Sequence, residues 1–83
     1  KENNNSILLY SLGEKYFIYE DYKKAREFFE LASKSNNSDA FLLLGILYDK
    51  GYGVDIDYII AKGYFESAAK LNSARAFIEL GEF

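Results

Sequence analysis

The sequence predicts an all-α fold, an α-solenoid of five helices arranged as about two and a half helix-turn-helix repeats. Three observations carry this prediction. Apolar residues recur at three- and four-residue spacings, as in Leu9, Leu12 and Tyr16 and again in Ala25, Phe28, Phe29 and Ala32. Such spacing lines one side of a helix, whereas a strand would alternate. The chain also repeats itself. Between Tyr22 and Gly45, 11 of 24 positions find the identical residue 36 places later, namely Tyr22, Ala25, Phe29, Glu30, Ala32, Lys34, Asn36, Ala40, Phe41, Leu44 and Gly45. Ordinary residue usage would give about one or two such matches, and a period of this length marks stacked supersecondary units. Finally, proline is absent, so no residue lacks the amide that a helix interior needs.

The elements follow in order. Residues 6–19 and 21–35 form the first helix pair, 38–50 and 57–71 the second, and a further first helix opens near Ser73. Asn36, Asn37 and Ser38, and then Asn72 and Ser73, separate the pairs with side chains that accept the free amides at a helix start. Asp21 and Asp57 are placed to cap the second helices in the same way. Leu12-Gly13 is a third copy of Leu44-Gly45, but it precedes that pair by 32 residues where Leu80-Gly81 follows it by 36. The second unit therefore carries a four-residue insert, "GYGV" or its neighbours. Because the first pair is joined without these residues, and loop length is thermodynamically inexpensive, deletion of four residues around 51–54 is expected to leave a folded protein. The repeats fall at residues 6–37, 38–72 and, incomplete, 73–83.

Gly45 lies within an apolar helical run, where glycine costs about 1 kcal/mol relative to alanine. Gly13 and Gly81 hold the same phase in the other first helices, which implies one steric demand repeated three times: the helices of a pair touch there. Ala25 and Ala61 are the expected small residues opposite, with Tyr16, Tyr48, Phe29 and Phe65 filling the wider gaps. Gly51 and Gly53 differ, since they follow a helix end where left-handed conformations are wanted.

Composition narrows the function classes. The chain is 49% hydrophobic and 18% aromatic, with eight tyrosines and seven phenylalanines, which is the composition of a folded protein. Cysteine and histidine are both absent, which removes disulfides, thiol and imidazole catalysis and nearly all zinc sites. The net charge of −3 and the scattered ten Lys and Arg residues give no basic surface for nucleic acid. No apolar run approaches the roughly 20 residues that span a bilayer, and "KENNN" does not begin a signal peptide. Methionine is absent and the chain starts at Lys1, so residues 1–83 are read as one small domain taken from a longer protein. Glu82-Phe83 is also what a common restriction site encodes, which leaves the origin of those two residues open.

The run Ala40, Leu44-Gly45, Tyr48, Gly51-Tyr52-Gly53-Val54, Asp57, Ala61, Tyr64-Phe65, Ala68-Ala69 resembles the Sel-one-like repeat, a relative of the tetratricopeptide repeat with a longer loop inside each helix pair. That family typically has glycine where this chain has Asn72 and lysine where it has Ile60. The first unit, through Gly13, Tyr16, Ala25, Phe29 and Ala32, follows tetratricopeptide spacing, with a tight turn near Tyr19-Glu20, and reads as a hybrid. The resemblance covers residues 6–83. It implies a right-handed superhelix whose first helices line a concave surface that grips other proteins. Some bacterial members are stapled by disulfides, which this chain cannot form.

Carrying the family's groove-facing phase onto this sequence gives Ile7, Tyr10, Glu14 and Phe17, then Asp39, Leu42, Ile46 and Asp49, then Arg75 and Ile78. The surface is mixed apolar and acidic, which implies a protein or peptide partner with basic and apolar character. Each apolar member has an alternative role in packing against the neighbouring helix. Phe77, Leu80 and Phe83 would lack a covering helix in an incomplete third unit, which implies self-association through that end.

Other chemistry fits poorly. Asp55-Ile56-Asp57 with Asp49 lacks the alternating oxygen ligands, glycine and distant glutamate of a calcium loop. The "GYG" has no following Lys-Ser/Thr of a phosphate loop, and no carboxylate is marked for catalytic work. No cofactor or metal is expected, and the chain is read as a binding scaffold or adaptor and not an enzyme. The alternatives are a structural spacer or oligomerisation segment of a larger, possibly enzymatic, protein, and a nucleic-acid-reading helical repeat, which would need a basic groove.

Overall fold

The computed structural model describes residues 2–83, with side chains from residue 5 onward; Lys1, which opens the "KENNN" segment, lies outside the described residues. Five helices follow one another: α1 (Glu2–Ile18), α2 (Tyr22–Ser33), α3 (Ser38–Lys50), α4 (Tyr58–Lys70) and α5 (Ala74–Gly81). There is no strand among the described residues. Each helix packs on the next, α1 on α2, α2 on α3, α3 on α4 and α4 on α5, giving an elongated helical stack of 34 × 26 × 16 Å. α1 begins four residues earlier than the sequence indicates. Ser6 is consequently not a helix start but a buried residue inside α1, where the side-chain amide of Asn37 donates to its hydroxyl at 3.3 Å and to its carbonyl at 3.5 Å.

The caps are those the residue types call for. Asn37 and Ser73 accept from the backbone amides of Ala40 at 3.0 Å and Ala76 at 3.2 Å. Asp57 accepts from both Ile59 and Ile60 at 3.1 Å, and Asp21 from Lys24 at 3.3 Å. Each satisfies amides that the first turn leaves without a partner. The opposite ends stop in left-handed residues, Glu20 (φ 65), Asn36 (φ 58), Gly51 (φ 73) and Asn72 (φ 69). At Glu20 and Asn72 the following amide reaches back five residues, Asp21 to the Tyr16 carbonyl at 2.9 Å and Ser73 to the Ala68 carbonyl at 3.1 Å, closing the helix as glycine commonly does. Asparagine tolerates this conformation better than most side chains, which accounts for Asn72 standing in the glycine's place.

The core is organised around the second helices. One cluster joins Ala25, Phe29 and Ala32 of α2 to Ala40, Leu44 and Leu47 of α3. The other joins Ala61, Phe65, Ala68 and Ala69 of α4 to Leu42 of α3 and Ala76 of α5. Leu43 packs against both clusters, so the core continues from one repeat into the next. α3 is covered from two sides and buries Ala40, Leu42, Leu44, Gly45 and Leu47. In α5 only Ala76 is buried.

The glycine phase is a close contact, with a different partner from the expected one. A Cβ at Gly13 would stand 2.6 Å from the Phe29 ring, and one at Gly45 would stand 2.6 Å from the Phe65 ring. Both rings are fully buried. The nearest side chain to each glycine is thus the phenylalanine, and Ala25 and Ala61 are buried in the same clusters as these rings. Tyr16 and Tyr48 sit beside it, stacked on Phe28 at 5.6 Å and on Tyr64 at 6.0 Å.

The "GYGV" segment makes contacts that its length alone does not reveal. Tyr52 stacks on Tyr22 of the preceding repeat with centroids 5.0 Å apart and meets Phe17 edge-on at 6.0 Å. Gly53, at φ 75, lies so close to Tyr22 that an added Cβ would be 2.6 Å from the Tyr22 Cβ. The insert therefore ties one repeat to the other.

Candidate partner-binding surface

The first helices bring part of the expected surface together. On α1, Ile7, Tyr10 and Glu14 stand at i, i+3 and i+7 and so share a face. Tyr10 is half-buried, its ring 5.5 Å from that of Phe29. Its hydroxyl leans on the Glu14 carboxylate at 3.4 Å. Burial, with the negative charges of Glu14 and Asp39 on the adjoining first helix, pushes the Tyr10 phenol up to about 12. Desolvation and nearby anions both disfavour the phenolate. The phenol, Glu14 and Asp39 thus form one electrostatic group across α1 and α3. Among the described residues neither Glu14 nor Asp39 forms an ion pair with a Lys or Arg.

Other expected residues serve the fold. Leu42 is only 7% exposed and packs in the α4 cluster, so it has no surface to offer a partner. Phe17 is held edge-on between Tyr22 at 5.6 Å and Tyr52 at 6.0 Å. Ile46 is half-buried against the same cluster as Leu42. Ile78 stands 36 residues after Leu42 and is 63% exposed. Arg75 is engaged along α5, its Nε donating to Glu79 at 3.1 Å.

Asp49 has neighbours that the sequence did not single out. It lines an open pocket of about 400 Å³ together with Tyr58, Glu82 and Phe83, and Lys50 approaches it at 3.8 Å. Phe83 meets Tyr58 and Phe65 edge-on at 6.2 and 5.9 Å. The 36-residue period was the available signal, since it places Phe83 in register with the fully buried Leu47. Leu80 is likewise half-buried against the α4 cluster. The exposed apolar side chains at this end are therefore Phe77, Ile78 and Phe83, at 59%, 63% and 50%.

A model of the Sel1 repeat, the Sel-one-like family, matches residues 8–37 and 38–73. The chain belongs to the Sel1 repeat family. The match includes the first unit even though it lacks the glycine loop, so its tight turn is a variant of the Sel1 repeat. Sel1 repeats generally mediate protein–protein interaction. A comparison with curated proteins found no match. Among the described residues no helix is long and apolar enough to cross a membrane, and no group of three or more His, Cys, Asp and Glu side chains gathers as a metal site.

Proposed function

We propose that this Sel1 repeat segment is a non-catalytic adaptor that binds an extended stretch of a partner protein along its first helices. The contacts are assigned to Ile7, Tyr10, Glu14, Asp39, Ile46, Asp49 and Arg75. The observation that carries the reading is the group formed by Tyr10, Glu14 and Asp39. An aromatic ring flanked by two carboxylates that form no ion pair among the described residues suits a lysine or arginine side chain, with Ile7 and Ile46 beside it for apolar residues. The same acidic character argues against nucleic acid.

A designed amphipathic peptide with alternating lysine and leucine, titrated into the protein and followed by amide chemical shifts, tests this. Perturbations are expected around Tyr10, Glu14 and Asp39, with affinity falling as salt rises. Glu14→Gln combined with Asp39→Asn should weaken binding and flatten its salt dependence, and a glutamate-for-lysine peptide should not bind. Perturbation confined to the outer surface near Arg26 and Lys62 would overturn the assignment of the surface. Absence of binding would favour a structural spacer.

A further inference from the structure

A pocket between the two repeats has chemistry opposite to that of Tyr10, Glu14 and Asp39. Asn36, in the turn between α2 and α3, and Phe41, in the first turns of α3, line one side, while Ser67, Lys70 and Leu71 near the end of α4 line the other. The space is open and measures about 220 Å³. All five residues lie inside the two units that the Sel1 repeat model matches. Ser67, Lys70 and Leu71 stand at i, i+3 and i+4, so they share one face of α4. Phe41 is fixed opposite them by the α4 cluster and by the Tyr64 ring, 6.3 Å away.

The lining combines apolar walls with donors that the fold does not use. Phe41 and Leu71 are half-buried. Among the described residues, no hydrogen bond or ion pair engages the Asn36 side-chain amide, the Ser67 hydroxyl or the Lys70 ammonium. Ser33 shows the usual alternative, its hydroxyl donating to the Glu30 carbonyl of its own helix at 2.7 Å. Ser67, half-buried, makes no such bond. Nor does the repeat demand a hydroxyl there, since Leu31 stands 36 residues earlier. Lys70 is the one ionisable side chain among the five, and Glu66, one turn before it, does not pair with it. A cation with two neutral donors beside apolar walls complements a carboxylate borne next to an apolar group. The volume falls below the roughly 300 Å³ at which small-ligand pockets begin, so it suits one or two residues of a peptide and not a nucleotide. We infer that this pocket is a subsite for an acidic side chain, Asp or Glu, flanked by an apolar residue in a segment of a partner protein. Its donors are side chains from two elements and not the nest of backbone amides that captures chain ends, which selects a side-chain carboxylate. The pocket works independently of the Tyr10 surface and takes a residue of the opposite charge.

The probe is acetyl-Leu-Glu-Leu-amide, titrated at low salt into the intact 83-residue chain and followed by amide chemical shifts. Weak, saturable binding is expected, with shifts centred on Asn36, Phe41, Ser67, Lys70 and Leu71. The uncharged peptide acetyl-Leu-Gln-Leu-amide should bind at least roughly fivefold more weakly, as loss of a charge-assisted hydrogen bond requires. Lys70→Gln should weaken binding of the acidic peptide by a similar factor and leave the melting temperature unchanged, because Lys70 is exposed and unpaired. Ser67→Leu, which restores the residue of the first repeat, should also weaken it. Glu14→Gln combined with Asp39→Asn is expected to leave this binding intact, which separates it from binding on the first-helix surface. Equal affinity for the glutamine peptide would overturn the proposal, as would full affinity in Lys70→Gln, failure to saturate, or shifts centred on another surface. Binding of acetyl-Leu-Leu with a free terminal carboxylate, without binding of the blocked acidic peptide, would give the pocket to a chain end and reject the side-chain assignment. Tighter binding of inorganic phosphate at the same five residues would reject it in favour of a general anion site.

Discussion

In the first helix pair three residues, 19–21, join α1 to α2, whereas in the second seven residues, 51–57, join α3 to α4. The packed result is the same. Gly13 faces Phe29 and Gly45 faces Phe65 with matching 2.6 Å approaches. The longer joint does not set the geometry of its own pair, which the glycine and the ring determine. It acts on its neighbour, because Tyr52 leaves its own repeat to stack on Tyr22. It also relaxes the cap. Asp57 takes an extended conformation (φ −146, ψ 98) and satisfies two amides, while Asp21, constrained by the tight turn (φ −87, ψ 77), satisfies one at a longer distance.

The largest expected effect tests the shared part of that comparison. Gly13→Leu and Gly45→Leu should each lose at least about 2 kcal/mol in urea denaturation, because a buried ring cannot yield to overpacking. Similar losses are expected at both sites. A large loss at one and none at the other would show that the joint, and not the glycine contact, shapes the pair.

Deleting residues 51–54 sharpens the difference between the joints. The helical circular dichroism signal should persist, since the first pair folds with the short connection. Stability should nevertheless fall by about 1–3 kcal/mol, the worth of the two aromatic pairs made by Tyr52. Tyr52→Ala should reproduce most of that loss. An unchanged urea midpoint for both variants would return the loop to the dispensable role that its length alone suggests.

The caps should differ more gently. Asp57→Ala is expected to cost about 1–2 kcal/mol and Asp21→Ala about 0.5–1 kcal/mol, in proportion to the amides each leaves without a partner. Thermal melts of the two variants side by side would reveal a reversed order if the tight turn were the better cap.

The smallest effect is one of pH. Burial, with Glu14 and Asp39 nearby, pushes the Tyr10 phenol up to about 12 in the fold, against an ordinary value of 10.0. Tyr64 is also raised, by burial first and then by Glu30 and Tyr48, with Arg26 opposing. Above pH 10 the unfolded chain gives up these protons while the folded chain retains them, so stability is full below 10 and declines as pH rises toward 12. Tyr10→Phe should shrink that decline between melts at pH 9 and pH 11. No change in the slope would show that Tyr10 does not carry the shift.

Much of this protein was legible from its sequence because repeated residues announce repeated environments. The 36-residue period located the helices, the glycine phase and the insert, and the Asn, Ser and Asp residues at the joints marked the caps. The candidate surface was less legible. Tyr10, Leu42 and Ile78 share one register, yet Tyr10 is half-buried, Leu42 is buried and Ile78 is exposed. Their fates depend on the helices beside them and on side-chain size, neither of which is a property of the register.

What the sequence determined by itself was local and periodic: helix existence, caps, the left-handed glycines Gly51 and Gly53, and the need for a close contact at Gly13 and Gly45. Those features depend on a residue's own backbone freedom and side-chain chemistry, which the sequence states directly. Tertiary structure alone decided that a phenylalanine ring lies nearest Gly13 and Gly45, that Tyr52 packs on the preceding repeat, and that Asp49 shares a pocket with Tyr58, Glu82 and Phe83. These are contacts between residues distant along the chain. They are set by which helices stack and by how side chains of particular sizes fill the space between them.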